Sequence, residues 1–92
     1  MTAYVVVLSN LKDADKLQEY GSAAEQTISS FGGTLTKGSL SILCGNDPHE
    51  RLAVLQFPDI DTAKNWYNSE EYQALVPLRE QAIEAVFMLS GE

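Results

Sequence analysis

Cysteine and histidine are almost absent from this chain of 92 residues. It has one cysteine, Cys44, and one histidine, His49. A single cysteine cannot form an intrachain disulfide, so nothing indicates an oxidising compartment, and we expect Cys44 to be a small apolar side chain inside a strand. One histidine forms neither a pair at helical spacing nor a Cys/His cluster, and it lies in a turn. We therefore expect no metal, haem or other cofactor.

Basic residues and long apolar runs are also scarce. Six Lys and Arg face thirteen Asp and Glu, which gives a net charge of −7. The six are scattered, whereas binding to nucleic acid or to an anionic membrane requires a clustered basic face. No apolar run approaches the roughly 18–20 residues of a membrane span, and the chain opens into an apolar segment without a basic leader. We expect a cytoplasmic protein with no nucleic-acid or membrane partner.

Length and patterning predict one domain over residues 1–92, with 45% hydrophobic residues. Residues 3–8 form an apolar strand, and Asp13 is a candidate N-cap for a helix of about five turns that Gly32 and Gly33 end. The apolar stripe of this helix recurs at steps of three and four: Leu17, Tyr20, Ala24, Ile28 and Phe31.

In the second half of the chain, two strands precede a helical region and a last strand. Residues 34–44, rich in Ser and Thr, are typical of an edge strand with a bend at Gly38, and residues 45–48 form a turn. Residues 52–57 form a second apolar strand. A helix capped by Asp59 or Asp61 follows, carrying Ile60, Ala63, Trp66 and Tyr67. A fresh start at Ser69 leads to an apolar face with Tyr72, Leu75, Val76, Arg79 and Ala82, with a kink or restart at Pro77 and a last strand over 85–89.

The predicted order is βαββαβ, an α+β fold with a four-stranded antiparallel sheet and both helices on one face. The strands 3–8 and 52–57 suit its centre. Both faces of these strands are apolar, although a sheet face in contact with water should carry polar residues. Burial of one face against a second copy is the simplest solution, so we expect a homodimer through the sheet faces. The sequence leaves open which face that is.

Three segments carry a resemblance to a known family: Tyr20…Phe31-Gly32-Gly33, the run from Glu50 to Pro58, and Ala63…Trp66-Tyr67-Asn68-Ser69…Tyr72-Gln73…Arg79. On these residues the chain resembles the small bacterial proteins of the domain-of-unknown-function family numbered 1330, in the dimeric α/β-barrel (ferredoxin-like) superfamily. The resemblance covers nearly the whole chain. It implies a dimer in which two four-stranded sheets close a barrel, and it implies no settled activity. Phe31 and His49 stand where Tyr and Pro are expected.

Two arginines are the strongest candidates for binding a ligand. Arg79 lies on the apolar stripe of its helix. Arg51 alternates in phase with Ala53 and Leu55, so these three side chains share one face of the sheet. We assign that face to the helix-covered side, because Gln56 makes the opposite face more polar. A desolvated guanidinium needs an anion. Either the two arginines hold a small acidic ligand, or each forms an internal ion pair with a glutamate such as Glu19 or Glu50.

The aromatic residues and one asparagine complete the candidate site. Tyr20, Trp66, Tyr67 and Tyr72 either frame a pocket beside the arginines or only fill the core. Asn10 is interpreted as a turn residue. Some cofactor-free monooxygenases of the resembled superfamily place an Asn there with an aromatic residue on the second helix, an arrangement that Asn10 and Trp66 resemble.

Two functions follow, and the sequence does not decide between them. The first is a cofactor-free enzyme acting on a small organic acid or phenol, by proton transfer or oxygenation. The second is a non-catalytic homodimeric module for ligand binding or scaffolding. A cavity with both arginines facing it would favour the first, and a core without a cavity the second.

Overall fold

The computed structural model describes residues 2–91. Its elements follow the predicted βαββαβ order, and the second helical segment is divided into three by the predicted restarts near Ser69 and Pro77. They are β1 (Ala3–Leu11), α1 (Ala14–Ser30), β2 (Thr34–Ser39), β3 (Arg51–Phe57), α2 (Ile60–Tyr67), α3 (Glu70–Gln73), α4 (Val76–Ala82) and β4 (Ile83–Gly91).

The four strands form one antiparallel sheet in the order β2-β3-β1-β4. The two most apolar strands, β1 and β3, occupy the centre, and the Ser/Thr-rich β2 lies at an edge, as predicted. The α+β fold with a four-stranded antiparallel sheet is therefore confirmed.

The strand register assigns each residue to one of two sheet faces. Val7 lies opposite Ala53 on β3 and Phe87 on β4, and this parity is buried under the helices. Val6 lies opposite Val54 and Met88 on the other face, which none of the described helices covers. We call this second face the open face. Its apolar members are Tyr4, Val6, Leu8, Leu52, Val54, Val86 and Met88.

Side chains and glycines at the predicted positions begin and end α1. The Asp13 carboxylate accepts a hydrogen bond from the Lys16 backbone N–H at 3.1 Å, so it satisfies one of the unpaired amides of the first turn. Gly32 has a φ of +74°, and the amides of Gly32 and Gly33 donate to the carbonyls of Ser29 and Ile28. This is the Schellman pattern, in which glycine adopts the left-handed conformation without steric cost.

The second helical segment starts three times. Asp59, not Asp61, caps α2, since its carboxylate accepts from the Thr62 amide at 2.7 Å. Ser69 caps α3 as predicted, and Pro77 lies in the first turn of α4, where its missing N–H costs no intrahelical hydrogen bond.

The bounds of three strands, β1, β2 and β4, and the position of Cys44 differ from the sequence prediction. β1 continues to Leu11 and β4 extends over Ile83–Gly91, because each provides hydrogen-bonding partners for the other along nine residues. β2 ends at Ser39 and not at residue 44, because its partner β3 begins only at Arg51. Cys44 therefore lies in the irregular segment 40–50 and is exposed, so its predicted place inside a strand is wrong.

The most deeply buried side chains bring both helical segments onto the same sheet face. Trp66, Tyr72 and Phe57 are almost fully buried. The indole Nε1 of Trp66 donates to the hydroxyl of Thr27 at 3.0 Å, which joins α2 to α1. The described helices are all too short or too polar to span a membrane.

Candidate functional site

A cavity of about 420 Å³ lies between α1 and the helix-covered face of the sheet. Its inner wall is made of buried side chains, among them Tyr20, Trp66 and Val7. Its rim is made of exposed polar residues: Gln18 and Glu25 from α1, Lys37 from β2 and Arg51 from β3. The cavity therefore has an apolar interior and a charged entrance.

Two cations of the rim lie close together on neighbouring strands. Lys37 is directly opposite Ala53, two positions along β3 from Arg51, and all three share the helix-covered parity. Diagonal neighbours of this kind have Cα atoms roughly 7–8 Å apart. Within residues 2–91 neither cation forms a salt bridge or a side-chain hydrogen bond. Two unpaired like charges at this spacing favour an anion between them.

Behind the inner wall, two tyrosines and an arginine form a hydrogen-bonded chain. The hydroxyls of Tyr20 and Tyr72 are 2.7 Å apart, and Nη1 of Arg79 donates to the Tyr72 hydroxyl at 3.1 Å. Tyr20 lines the cavity, whereas neither Tyr72 nor Arg79 is among its lining residues. The chain therefore connects the cavity wall to a cation placed outside the cavity.

Arg79 is held by aromatic residues and by its sequence neighbour. Its Nη1 also donates to the Tyr67 hydroxyl at 3.1 Å, its Nη2 donates to Glu80 at 2.9 Å, and its guanidinium carbon is 4.7 Å from the centre of the Phe87 ring. The carboxylate partner is therefore Glu80, not Glu19 or Glu50 as considered from the sequence.

The two arginines do not meet. Arg51 begins β3, whereas the Phe87 ring beneath Arg79 belongs to β4, and β1 lies between these strands. The structure thus places Arg51 at the cavity rim, Tyr20 and Trp66 in its inner wall, and Arg79, Tyr72 and Tyr67 behind that wall. Tyr67 lines a second cavity of about 300 Å³ between α2 and β4, together with Lys64 and Asn68.

Burial shifts the titration of the two coupled tyrosines. It raises the pKa of Tyr20 far above the ordinary value of 10.0, and the neighbouring Tyr72 raises this pKa further. Burial also raises the pKa of Tyr72, although the hydrogen bonds with Tyr20 and Arg79 offset part of that increase. Burial disfavours the Arg79 charge, but hydrogen bonds to Tyr72, Tyr67 and Glu80 outweigh it, and the pKa of Arg79 is raised. Tyr20 and Tyr72 are therefore neutral donors near neutral pH.

These shifts predict a loss of stability in alkali. A phenol with a raised folded pKa contributes stability below the unfolded value near 10, and this contribution is lost as the pH rises above that value. We expect the free energy of unfolding in urea to fall as the pH rises past about 10. The double variant Tyr20→Phe/Tyr72→Phe should lose less over this range. Tyr4→Phe, which keeps both buried phenols, is the control, and an equal loss in all three proteins would contradict the prediction.

Asn10 is not in a turn as predicted, and its role in the structure is to hold two segments together. It lies within β1, where its Nδ2 donates to the Pro48 carbonyl at 3.1 Å and its Oδ1 accepts from the Glu50 amide at 2.9 Å. Asn10 therefore fixes the end of the 40–50 segment to the sheet. It is not among the residues that line the cavity.

His49 and the acidic residues form no metal centre in the described part of the chain. His49 Nδ1 lies 2.8 Å from the Asp47 carboxylate, which also accepts from the His49 amide. These hydrogen bonds lower the pKa of Asp47. Over residues 2–91, no group of three or more His, Cys, Asp or Glu side chains has the arrangement of a metal site.

Sequence reasoning missed Lys37, Gln18 and Glu25. Lys37 lies in the Ser/Thr-rich strand and shares a face with Arg51 only through the β2–β3 register. A register counted from the 45–48 turn would not have found it, because the connection is irregular over residues 40–50. Gln18 and Glu25 lie at the polar margins of the α1 stripe, one residue from Leu17 and Ala24, and this adjacency is the signal that could have identified them.

The sheet order, with the helices on one face, defines a ferredoxin-like α+β protein whose candidate site is the cavity under α1. The chain belongs to the family described as domain of unknown function DUF1330, whose model matches residues 2–91. A comparison with curated proteins finds no match.

Three solved structures support this fold. A DABB family protein with a ferredoxin-like fold from Mesorhizobium loti has a TM-score of 0.71 and 14% identity, with 99% of this chain and 96% of that chain covered. SnoaB from Streptomyces nogalater, described as a cofactor-independent oxygenase, has a TM-score of 0.74 and 8% identity, with coverage of 99% and 92%. A dimeric ferredoxin-like protein of unknown function from Thermobifida fusca has a TM-score of 0.68 and 11% identity, with coverage of 100% and 92%.

Proposed function

We propose that this protein binds a small, partly apolar organic acid in the cavity under α1. The observation that carries the proposal is the pair of unpaired cations, Lys37 and Arg51, on diagonal positions of the rim. A carboxylate between them would relieve their repulsion, and the guanidinium offers the two parallel donors that a carboxylate accepts.

The size and lining of the cavity define the rest of the ligand. Its volume of about 420 Å³ falls within the usual range for small-molecule sites, and most of its wall is apolar. Besides Tyr20, its lining has three titratable residues, Lys37, Arg51 and Glu25, so its local charge is positive in a chain of net charge −7. A single carboxylate on an apolar body, such as an aromatic ring, matches this distribution.

Loss of Arg51 is expected to abolish most of the acid binding. A hydrogen bond to a charged group contributes about 1.5–3 kcal/mol, so Arg51→Leu should weaken binding of benzoate at least about tenfold. Isothermal titration calorimetry and thermal shift measure this loss. Lys37→Met should act in the same direction. Lys16→Met removes an equal charge outside the cavity lining and is the control; an equal loss there would show that only net charge matters.

A cofactor-free enzyme is the more specific candidate function. Among the described residues that line the cavity, Glu25 has the only carboxylate and is the candidate general base, and Tyr20 is a neutral donor. The likeness to a cofactor-independent oxygenase supports turnover of a bound acid or phenol. Turnover that Glu25→Gln abolishes while binding persists would support the enzyme. Binding without turnover in the wild type would favour the alternative, a non-catalytic ligand-binding or scaffold module.

We also propose that the protein is a homodimer through its open face. Tyr4, Val86 and Met88 on this face are each more than 40% exposed, and Val6, Leu8, Leu52 and Val54 extend the apolar patch between them. A continuous apolar sheet face of this kind is a typical interface. A structural neighbour described as dimeric supports this assembly. Two sheets packed in this way would place the cavity of each copy on the outside, under its own helices.

Several expectations from the sequence stay predictions. These are a cytoplasmic location, the absence of a nucleic-acid partner and the absence of a metal or haem cofactor. A haem titration tests the last of them, because a stoichiometric Soret shift would contradict it and direct attention to His49.

A further inference from the structure

Of the two phenolic hydrogens of Tyr20 and Tyr72, one has no acceptor among the described residues. The Tyr72 oxygen accepts from Arg79, which can only donate, and lies 2.7 Å from the Tyr20 oxygen. Within residues 2–91 the two phenols have no other hydroxyl partner. The contact between the two phenol oxygens can hold one hydrogen, so the hydrogen of the other phenol has no partner there.

Burial decides which hydrogen is left over. Tyr72 is 0% exposed and does not line the cavity, whereas Tyr20 is 8% exposed and does. An unsatisfied donor sealed in the core is destabilising, whereas a donor at a cavity wall can bond to a ligand or to water. The favoured order therefore runs from Arg79 to the Tyr72 oxygen and from the Tyr72 hydroxyl to the Tyr20 oxygen. The hydrogen left over then belongs to Tyr20, the one of these three residues that lines the cavity.

The hydrogen bonds from Arg79 to Tyr72 and from Tyr72 to Tyr20 also make the Tyr20 hydroxyl a stronger donor. Each hydroxyl that accepts a hydrogen bond becomes a better donor, so the Arg79 charge polarises Tyr20 through Tyr72. The raised pKa of Tyr20 keeps its proton in place near neutral pH, so the group donates without ionising.

We infer that Tyr20 is a specificity-determining donor to an acceptor oxygen of the ligand, with Tyr72 and Arg79 as positioning residues. This inference rests on the proposed acid-binding function and narrows its ligand class. The preferred ligand is an acid whose carboxylate meets Lys37 and Arg51 and whose apolar body ends in a carbonyl or phenolic oxygen. An acid with a wholly apolar far end leaves the Tyr20 hydroxyl unpaired and binds more weakly.

Two acids of similar shape test the inference: 4-acetylbenzoate, which presents a carbonyl, and 4-isopropylbenzoate, which does not. Since one neutral hydrogen bond contributes about 0.5–1.5 kcal/mol, the wild type should prefer the acetyl compound by roughly twofold to tenfold in calorimetry. Tyr20→Phe should remove the preference and keep the affinity for 4-isopropylbenzoate. A preference that survives in Tyr20→Phe would overturn the assignment.

A vibrational measurement adds a readout that a purely structural role would not change. The stretch of a ¹³C-labelled acetyl carbonyl should lie at lower frequency in the wild-type complex than in an alkane solvent, which offers no donor. Tyr20→Phe should abolish this shift, and Tyr72→Phe should reduce it, because the donor remains without its polarising neighbour. Absence of the shift in the wild type overturns the inference even if Tyr20→Phe does not fold.

The two proposals fail separately. If both acids bind equally well and lose affinity in Arg51→Leu, the acid site stands and the role of Tyr20 is wrong. If neither acid binds to the wild type, or if Arg51→Leu leaves both affinities unchanged, the proposed function is wrong and the inference is lost with it.

Discussion

Val7→Lys is expected to abolish folding, whereas Val6→Lys is expected to leave a folded monomer. Val7 is 6% exposed under the helices. A lysine at this position must therefore either give up its proton or open the core so that water reaches its ammonium group. A fully buried lysine has a pKa lowered by about 3–5 units, which corresponds to roughly 4–7 kcal/mol. This cost approaches the whole stability of a small domain, which is about 5–15 kcal/mol.

Val6 provides the matched comparison because it carries the same side chain on the adjacent residue and faces the other way. It lies opposite Val54 and Met88 on the open face, where a lysine remains hydrated in the monomer and is buried only at the proposed interface. Circular dichroism and light scattering at micromolar concentration separate the outcomes. A wild type that is itself monomeric, or a Val6→Lys variant that stays dimeric, would contradict the open-face dimer.

The predictions that succeeded for the fold rest on local chemistry. Asp13, Ser69 and the Gly32-Gly33 pair act through backbone amides and carbonyls a few residues away, so a short window of sequence contains the whole cause. Strand lengths are different. β1 and β4 continue because they pair with each other, and β2 stops because its partner begins late, so partners distant in sequence determine these boundaries.

The same distinction explains the candidate site. Arg51 and Ala53 lie on the helix-covered side of the sheet, as predicted. Alternation within one strand is local, so the sequence places both residues on one face and Gln56 on the other. The proximity of Lys37 to Arg51 depends on the register between two strands joined by an irregular connection, and the sequence does not specify it. The partners of Arg79 depend on how α4 packs against α2, α3 and β4, which likewise is a property of the assembled chain.

Arg79→Leu is expected to destabilise the protein by about 2–4 kcal/mol, although the replacement is apolar and removes a partly buried charge. The substitution removes charge-assisted hydrogen bonds to the hydroxyls of Tyr67 and Tyr72 and the contact with the Phe87 ring. Their summed contribution exceeds this range, and the lower desolvation cost of an apolar replacement offsets the difference. Among the described residues, the buried Tyr72 hydroxyl is then left with Tyr20 as its hydrogen-bond partner. The freed Glu80 side chain is largely exposed, so its loss of a partner adds little.

Arg51→Leu is the matched control, because it makes the same chemical change at an exposed position, where the arginine side chain has no hydrogen-bond or salt-bridge partner within residues 2–91. It should change the free energy of unfolding by no more than about 0.5 kcal/mol while weakening acid binding. Urea unfolding of the two variants and the wild type, with and without benzoate, measures both effects. A strongly destabilised Arg51→Leu would indicate that this arginine is structural. An unchanged free energy of unfolding in Arg79→Leu would show that the aromatic residues do not depend on the guanidinium. It would also remove the support for Arg79 as the charge that polarises Tyr20 through Tyr72.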